Sequence, residues 1–248
     1  MPPEDTPPPD DDENRPETDP TQAKWITDEF EDEYFSFLNT AEERIIKLVK
    51  GTVEKTSKTA PITSTFDKVD KVMGDAYEEA ADLAEEEITK GYQQGVRFGA
   101  VQLGAPLEVR QAAWKLIGDR IVASQSEFKG HTEDTARKIK RIIADGIEQE
   151  KTQGQIIKDI QAQFEKTKSD ATRIIRTETM KAVNKGVVDR YKQAGIEPSG
   201  HGRIPPFHPD CRCTAIVRRT GDEMVMVVLA AADERTCPEC ADLDGTVI

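Results

Sequence analysis

The cysteines of this chain form two closely spaced pairs towards its C-terminal end, with spacings at which thiolates can share one metal ion. Cys211 and Cys213 are separated by one residue, Cys237 and Cys240 are separated by two, and His208 precedes the first pair. Thiolate sulfur and imidazole nitrogen are the usual ligands of structural zinc, and four protein ligands close such a site. These residues therefore predict a structural zinc ion, held by the four thiolates or by three of them and His208.

Two other states of the same cysteines are compatible with the sequence. Reduced thiols without metal would only fill space in a small core. A disulfide is a third option, but cytoplasmic thiols stay reduced, and paired cysteines there more often bind metal. The N-terminus has no basic and apolar leader, and the longest apolar run, residues 224–232, is too short to cross a bilayer. We therefore expect a soluble protein that is made in the cytoplasm.

A β-hairpin is the element that should bring the two cysteine pairs together. β-Branched and apolar residues predict strands over 213–219 and 224–230, joined by a short turn that contains Gly221. Pairing about this turn would place Cys213 near Leu229, and the second cysteine pair follows a few residues after the second strand. The cysteines would then meet at the open end of the hairpin. A small module with little core gains stability from such a metal site.

The sequence around the cysteines lacks the established catalytic signatures. The zinc deaminase signature needs His-x-Glu and Pro-Cys-x-x-Cys, whereas this chain has His208-Pro-Asp and, later, Cys-Pro-Glu-Cys. It also has no phosphate-binding glycine loop, nucleophile elbow or His-Glu-x-x-His motif. His131 and His201 have no neighbours that would make them catalytic. We therefore predict that the protein is not an enzyme and that His208 has a structural or metal-binding role.

Helical periodicity dominates the chain before the cysteines. Apolar residues recur at steps of three to five, and Thr152 with Gln155 forms a capping box at one helix start. Gly91, Gly95 and Gly99 fall on one helix face, which predicts close contact with another backbone. The predicted helices cover 32–58, 67–103, 106–127, a segment from 132, a short segment from 152 and a last segment from 170 to 194. The predicted fold class is mainly α, an elongated helical body with a small C-terminal α+β module that contains the cysteines.

Much of the charge of the chain lies at its N-terminus. Residues 1–22 contain eight acidic residues, one basic residue and seven prolines, and they carry −7 of the net charge of −13. Such a segment cannot bury enough apolar surface to offset its ordering entropy, so it should be a disordered acidic arm. The negative charge argues against tight non-specific binding to DNA. With 36% hydrophobic and 33% charged residues, the chain should have a thin core.

Three motifs occur together in the second half of the chain. They are Arg176-Thr177-Glu178-Thr179, the Pro-Pro-x-His-Pro-x-Cys-Arg-Cys element that ends at Cys213, and the element Asp233-x-Arg235-Thr-Cys-x-x-Cys. With these motifs, residues 136–248 resemble the Mu F-like phage minor head proteins, a family of head morphogenesis proteins. In that family the Cys-x-x-Cys element comes first, so the order of the two cysteine elements is reversed here.

This resemblance implies a minor capsid protein of a tailed virus that acts in head morphogenesis. It implies binding to the portal protein and to major capsid or scaffold proteins, and contact with packaged DNA. It also implies multiple copies per virion, in the capsid interior or at the portal vertex, with no membrane partner. Arg176, Thr177, Glu178, Asp233 and Arg235 would be the family-motif residues.

The sequence thus predicts three parts and leaves two alternative functions open. The parts are the acidic arm 1–22, a helical region 23–130 and a Mu F-like domain 131–248, whose cysteine module covers 200–248. One alternative function is a metal-dependent nuclease or DNA-processing enzyme centred on His208 and the cysteines, which would need an open metal position. The other is a zinc module that binds nucleic acid, which the acidic charge balance disfavours.

Overall fold

A computed structural model of the protein describes residues 23–53, 62–104, 112–199, 204–208, 211, 213–230 and 237–248. Within these ranges, four long helices precede a two-stranded antiparallel sheet and a short helix. The elements are α1 (Lys24–Val53), α2 (Ile62–Gln102), α3 (Ala112–Glu148), α4 (Gln153–Gln193), β1 (Thr214–Thr220), β2 (Glu223–Leu229) and α5 (Pro238–Asp242). The prediction of a mainly α fold with a small C-terminal module is confirmed. The predicted acidic arm lies outside the described residues.

The long helices pack through apolar stripes that follow the helical repeat. In α1 the buried residues recur every three or four positions, which keeps them on one face. They are Ile26, Phe30, Tyr34, Leu38, Ala41, Ile45 and Val49. From Phe30 onward this stripe shares one apolar cluster with α2, α3 and α4. Because the stripe extends back to Ile26, α1 begins at Lys24 and not at the predicted residue 32.

Two predicted helix breaks are wrong because continuous burial outweighs the local start signals. Glu133 and Asp134, which follow Thr132, are typical of a helix start, and so is the pair Ser169-Asp170. α3 and α4 nevertheless run through both positions. Phe128, Thr132 and Ala136 continue the buried stripe of α3 across the first position. The buried Thr132 hydroxyl donates to the carbonyl of Phe128 at 3.1 Å, so its own helix satisfies it.

The other helix boundaries lie closer to the predictions. The capping box of Thr152 and Gln155 is confirmed at the start of α4, where each side chain bonds the backbone of the other residue. Ala194 follows the last residue of α4, close to the predicted end. α2 begins at Ile62, a few residues before the predicted start, and ends at Gln102.

α2 and α4 cross with their backbones in direct contact. A Cβ atom added to Gly95 of α2 would overlap the carbonyl oxygen of Val183, and one added to Gly186 of α4 would overlap that of Tyr92. The glycines one turn to either side of Gly95 also face α4. The close approach predicted from the glycine spacing is therefore confirmed, and its partner is a helix of the same chain.

β1 and β2 form the predicted hairpin, but with a register one residue away from the expected one. Thr214 pairs with Leu229, so Cys213 lies just outside the ladder and not opposite Leu229. Only two residues separate the strands, and pairing counted outward from so short a turn gives this register. The first of them, Gly221, has a φ of +62°, a conformation that glycine adopts without strain.

The residues that follow α5 add to the outer edge of β2. The N–H of Val228 donates to the carbonyl of Thr246, and the N–H of Ile248 donates to the carbonyl of Met226, both at 2.9 Å. The carbonyl of Ile248 in turn accepts from the N–H of Ser199 at 2.8 Å. This segment therefore joins the hairpin to the chain that leaves α4.

Candidate metal centre

The predicted ligands converge at one end of the hairpin. His208, Cys237 and Cys240 form a group whose ligand atoms lie within 4.8 Å of one another, and Cys211, Cys213 and Cys240 form a second such group. The Sγ of Cys240 lies 3.0 Å from Nε2 of His208 and 3.6 Å from the Sγ of Cys211. The Sγ of Cys237 lies 3.0 Å from the same histidine nitrogen. Because Cys240 belongs to both groups, it lies at the centre of the cluster.

Two short backbone arrangements position these side chains. Cys237 is the N-cap of α5, and its Sγ accepts a hydrogen bond from the N–H of Cys240 at 3.3 Å. Pro238 occupies the first helical position, where a missing N–H leaves no helical bond unmade. On the other side of the cluster, the N–H of Cys211 donates to the carbonyl of His208 at 3.2 Å and holds these two residues close together.

Burial and mutual hydrogen bonds separate the pKa values of the thiols. The neighbouring Cys213 thiol lowers the pKa of Cys211 to about 5, and the same contact together with burial raises the pKa of Cys213. Burial raises the pKa of Cys240 to about 12, whereas the backbone N–H of Cys240 lowers the pKa of Cys237. Without a cation, Cys213 and Cys240 would therefore stay protonated at neutral pH. A bound metal ion would favour the thiolate form of its ligands.

The donor atoms and their spacing fit a metal ion that prefers sulfur and nitrogen ligands. Two thiolates bound at about 2.3 Å to a tetrahedral zinc ion lie about 3.8 Å apart. The 3.6 Å between the sulfurs of Cys211 and Cys240 is close to that spacing. All four cysteines are free thiols, and three of them are buried. Magnesium and calcium require oxygen ligands, so the cluster could hold a metal ion of the zinc type but not these cations.

A buried amide on α4, which sequence reasoning did not identify, holds the hairpin beside the cluster. Asn184 is 0% exposed, and its Nδ2 donates to the carbonyl of Cys213 at 2.9 Å. Its Oδ1 accepts from the N–H of Ala215 at 3.1 Å. Several apolar side chains of the same part of α4 belong to one buried cluster, among them Val183 and Val187. A polar residue inside an apolar helical stripe is the sequence signal that could have revealed it, because a buried amide needs partners.

The first three family-motif residues lie in the helix bundle, with partners on α1, α3 and α4. Arg176 donates to a carboxylate of α1 at 3.0 Å, and the Thr177 hydroxyl donates to a carbonyl one turn earlier in α4 at 2.7 Å. Glu178 is buried and forms ion pairs with Arg120 of α3 and, at 2.8 Å, with Lys181 of α4. The intrahelical pair of Glu178 and Lys181 agrees with the spacing in the sequence.

The remaining predicted residues divide between the bundle and the undescribed segments. Asp233 and Arg235, the other family-motif residues, lie outside the described residues, as does His201. His131 lies in the bundle, where its Nδ1 is 3.1 Å from the hydroxyl oxygen of Tyr34. It is therefore a partly buried histidine of the bundle, far along the sequence from every predicted metal ligand.

Comparison with known proteins adds no family to this description. No protein-family model, no curated protein and no solved structure matches this chain. Among the helices that the structure describes, none combines the length and the apolar composition needed to cross a membrane.

Proposed function

We propose that this protein is a minor capsid protein of a tailed virus, which acts in head morphogenesis and binds the portal and the inner capsid. The support is that the two cysteine elements of the Mu F-like resemblance contribute to one cluster, although their order along the chain is reversed. Cys211 and Cys213 come from one element, and Cys237 and Cys240 come from the other. Because a hairpin lies between the two elements, either order can bring them together.

We further propose that the cluster holds one structural zinc ion. The cysteines and His208 offer enough donors to fill the four positions of a tetrahedral site, as in structural zinc sites. The two-stranded sheet of the module would be marginally stable alone, so a bound metal would contribute to its folding. A metal-dependent nuclease would instead need an open metal position with a base beside it.

The zinc proposal predicts about one zinc ion per chain in anaerobically purified protein, measured by plasma mass spectrometry. Cys240→Ser should lose the metal because Cys240 belongs to both ligand groups. Ala241→Ser introduces the same residue at the next, exposed position of α5 and should keep the metal. Wild-type protein that is purified without metal and takes up none on titration would contradict the proposal.

The capsid role predicts that tagged protein, recovered from cells that produce the virus, brings down portal and major capsid or scaffold proteins. Mass spectrometry of the recovered complex identifies them, and an unrelated protein with the same tag is the control. Purified, metal-loaded protein should leave plasmid DNA intact. Recovery of nucleic acid without capsid components, together with DNA cleavage that Cys240→Ser abolishes, would contradict this role and favour the nuclease alternative.

A further inference from the structure

The amide of Asn184 bonds the backbone of β1 in the way that a neighbouring strand would. Its donor and acceptor reach the carbonyl of Cys213 and the N–H of Ala215, the two groups that flank Thr214. In a parallel sheet, one residue of a strand bonds the carbonyl and N–H that flank the opposite residue in the same manner. The side chain of Asn184 therefore replaces a strand residue beside Thr214.

The hydroxyl of Tyr191 repeats this arrangement two residues further along β1, with weaker geometry. Tyr191 is buried, and its hydroxyl donates to the carbonyl of Ala215 at a long 3.5 Å. The backbone of Val217 also forms a hydrogen bond with that hydroxyl. Asn184 and Tyr191 are seven residues apart in α4, which places them on one helix face. α4 thus covers the outer edge of β1 along its buried half.

The hydrogen bond from Asn184 to the carbonyl of Cys213 links α4 to the candidate metal centre. Cys213 supplies both the carbonyl that Asn184 holds and a sulfur of the ligand cluster. The amide of Asn184 has a further bond to the carbonyl of Met180 at 3.0 Å, so its orientation is fixed by its own helix. The side chain of Asn184, which its own helix orients, therefore fixes the backbone of one ligand residue, Cys213.

We propose that Asn184 is a positioning residue of the metal centre, which sets the place of Cys213 and couples metal binding to the docking of the hairpin on α4. This inference rests on the proposed metal site. Residues that orient the ligands of a metal site without binding the metal commonly change the affinity for the metal when they are replaced. A purely structural amide would instead stabilise the hairpin without changing metal affinity in the folded protein.

The test compares two variants that each remove part of the α4–β1 contact. Asn184→Asp keeps an acceptor for Ala215 but loses the donor to the carbonyl of Cys213. Tyr191→Phe removes the hydroxyl from β1 without touching Cys213, so it is the matched control. Zinc affinity is measured by competition with a chromogenic chelator, at a temperature where circular dichroism shows each variant to be folded. The thiolate charge-transfer bands of the cobalt-substituted protein report the ligand geometry.

Asn184→Asp should weaken zinc binding about tenfold or more and shift the cobalt bands. Tyr191→Phe should lower stability while leaving affinity and bands unchanged. If Asn184→Asp does not fold, Asn184→Ala removes both bonds without adding a charge and should show the same loss. Equal zinc affinities for wild type and a folded Asn184 variant would overturn this inference and leave the zinc proposal standing. Wild-type protein that binds no metal would overturn the zinc proposal and the inference with it.

Discussion

At the residue scale, His131 shows how a buried partner decides the role of a titratable side chain. Its Nδ1 lies 3.1 Å from the hydroxyl of Tyr34, which is fully buried and needs a hydrogen-bond partner. Burial lowers the pKa of His131 from 6.5, and Lys138 adds to this effect. Asp170, a hydrogen bond from the imidazole to the backbone of Thr167, and Asp134 oppose it without reversing it. The neutral imidazole is therefore the form that the folded protein prefers.

This preference predicts a loss of stability in acid. Because the pKa is lower in the folded state, the contribution of His131 is complete above its unfolded pKa of 6.5 and declines as the pH falls below that value. The free energy of unfolding, measured with urea at about pH 7.5 and about pH 5, should fall more in wild type than in His131→Gln. The difference between the two proteins removes the effects of other groups. Equal pH dependence in both would contradict the role assigned to His131.

At the element scale, the sequence predicted where helices exist better than where they end. Apolar periodicity is a property of many residues, and it identified the regions of the four long helices but not the short α5. Local signals, such as the acidic residues after Thr132 and the residue pair before Ala171, predicted breaks that are wrong, because the buried stripe continues past them and fixes the backbone. The ligand residues were predicted because their chemistry is specific. Asn184 was not, because its importance depends on which strand α4 meets, and spacing along the chain does not reveal that.

The crossing of α2 and α4 gives a matched pair of glycine substitutions in one helix. Gly95→Ala adds a methyl group that overlaps the carbonyl of Val183, so the helices must separate. We expect it to lower the free energy of unfolding by about 1–3 kcal/mol, the usual cost of overpacking. The methyl group added by Gly74→Ala meets no atom within 4 Å. This variant should raise the free energy of unfolding by about 0.5–1 kcal/mol, because alanine has the higher helix propensity. Urea unfolding of both variants measures the effects, and equal changes would contradict the close crossing.

At the scale of the whole molecule, the apolar core is divided between the bundle and the cysteine module. The larger cluster joins the four long helices. A second cluster joins the end of α4 to both strands and to three of the cysteines. A metal ion bound by the cysteines would therefore stabilise mainly the second cluster.

Metal removal should accordingly loosen one part of the molecule and leave the other intact. Hydrogen–deuterium exchange, measured by mass spectrometry with and without a chelator, should show faster exchange in 213–230 and 237–248. The amides of α1 from Phe30 onward should keep their protection, because that part of the helix packs in the larger cluster. Cys240→Ser should show the same pattern without chelator. Uniform loss of protection across all helices would mean that the two clusters unfold as one unit.

The way in which the hairpin edges are occupied bears on how copies of this protein behave when they are crowded. The edge of β2 is taken by the backbone that follows α5, and the buried half of the β1 edge is taken by Asn184 and Tyr191. Uncovered strand edges are sites at which proteins recruit strands from one another and aggregate. Where these edges are occupied, neighbouring copies of the protein can lie side by side without merging their sheets.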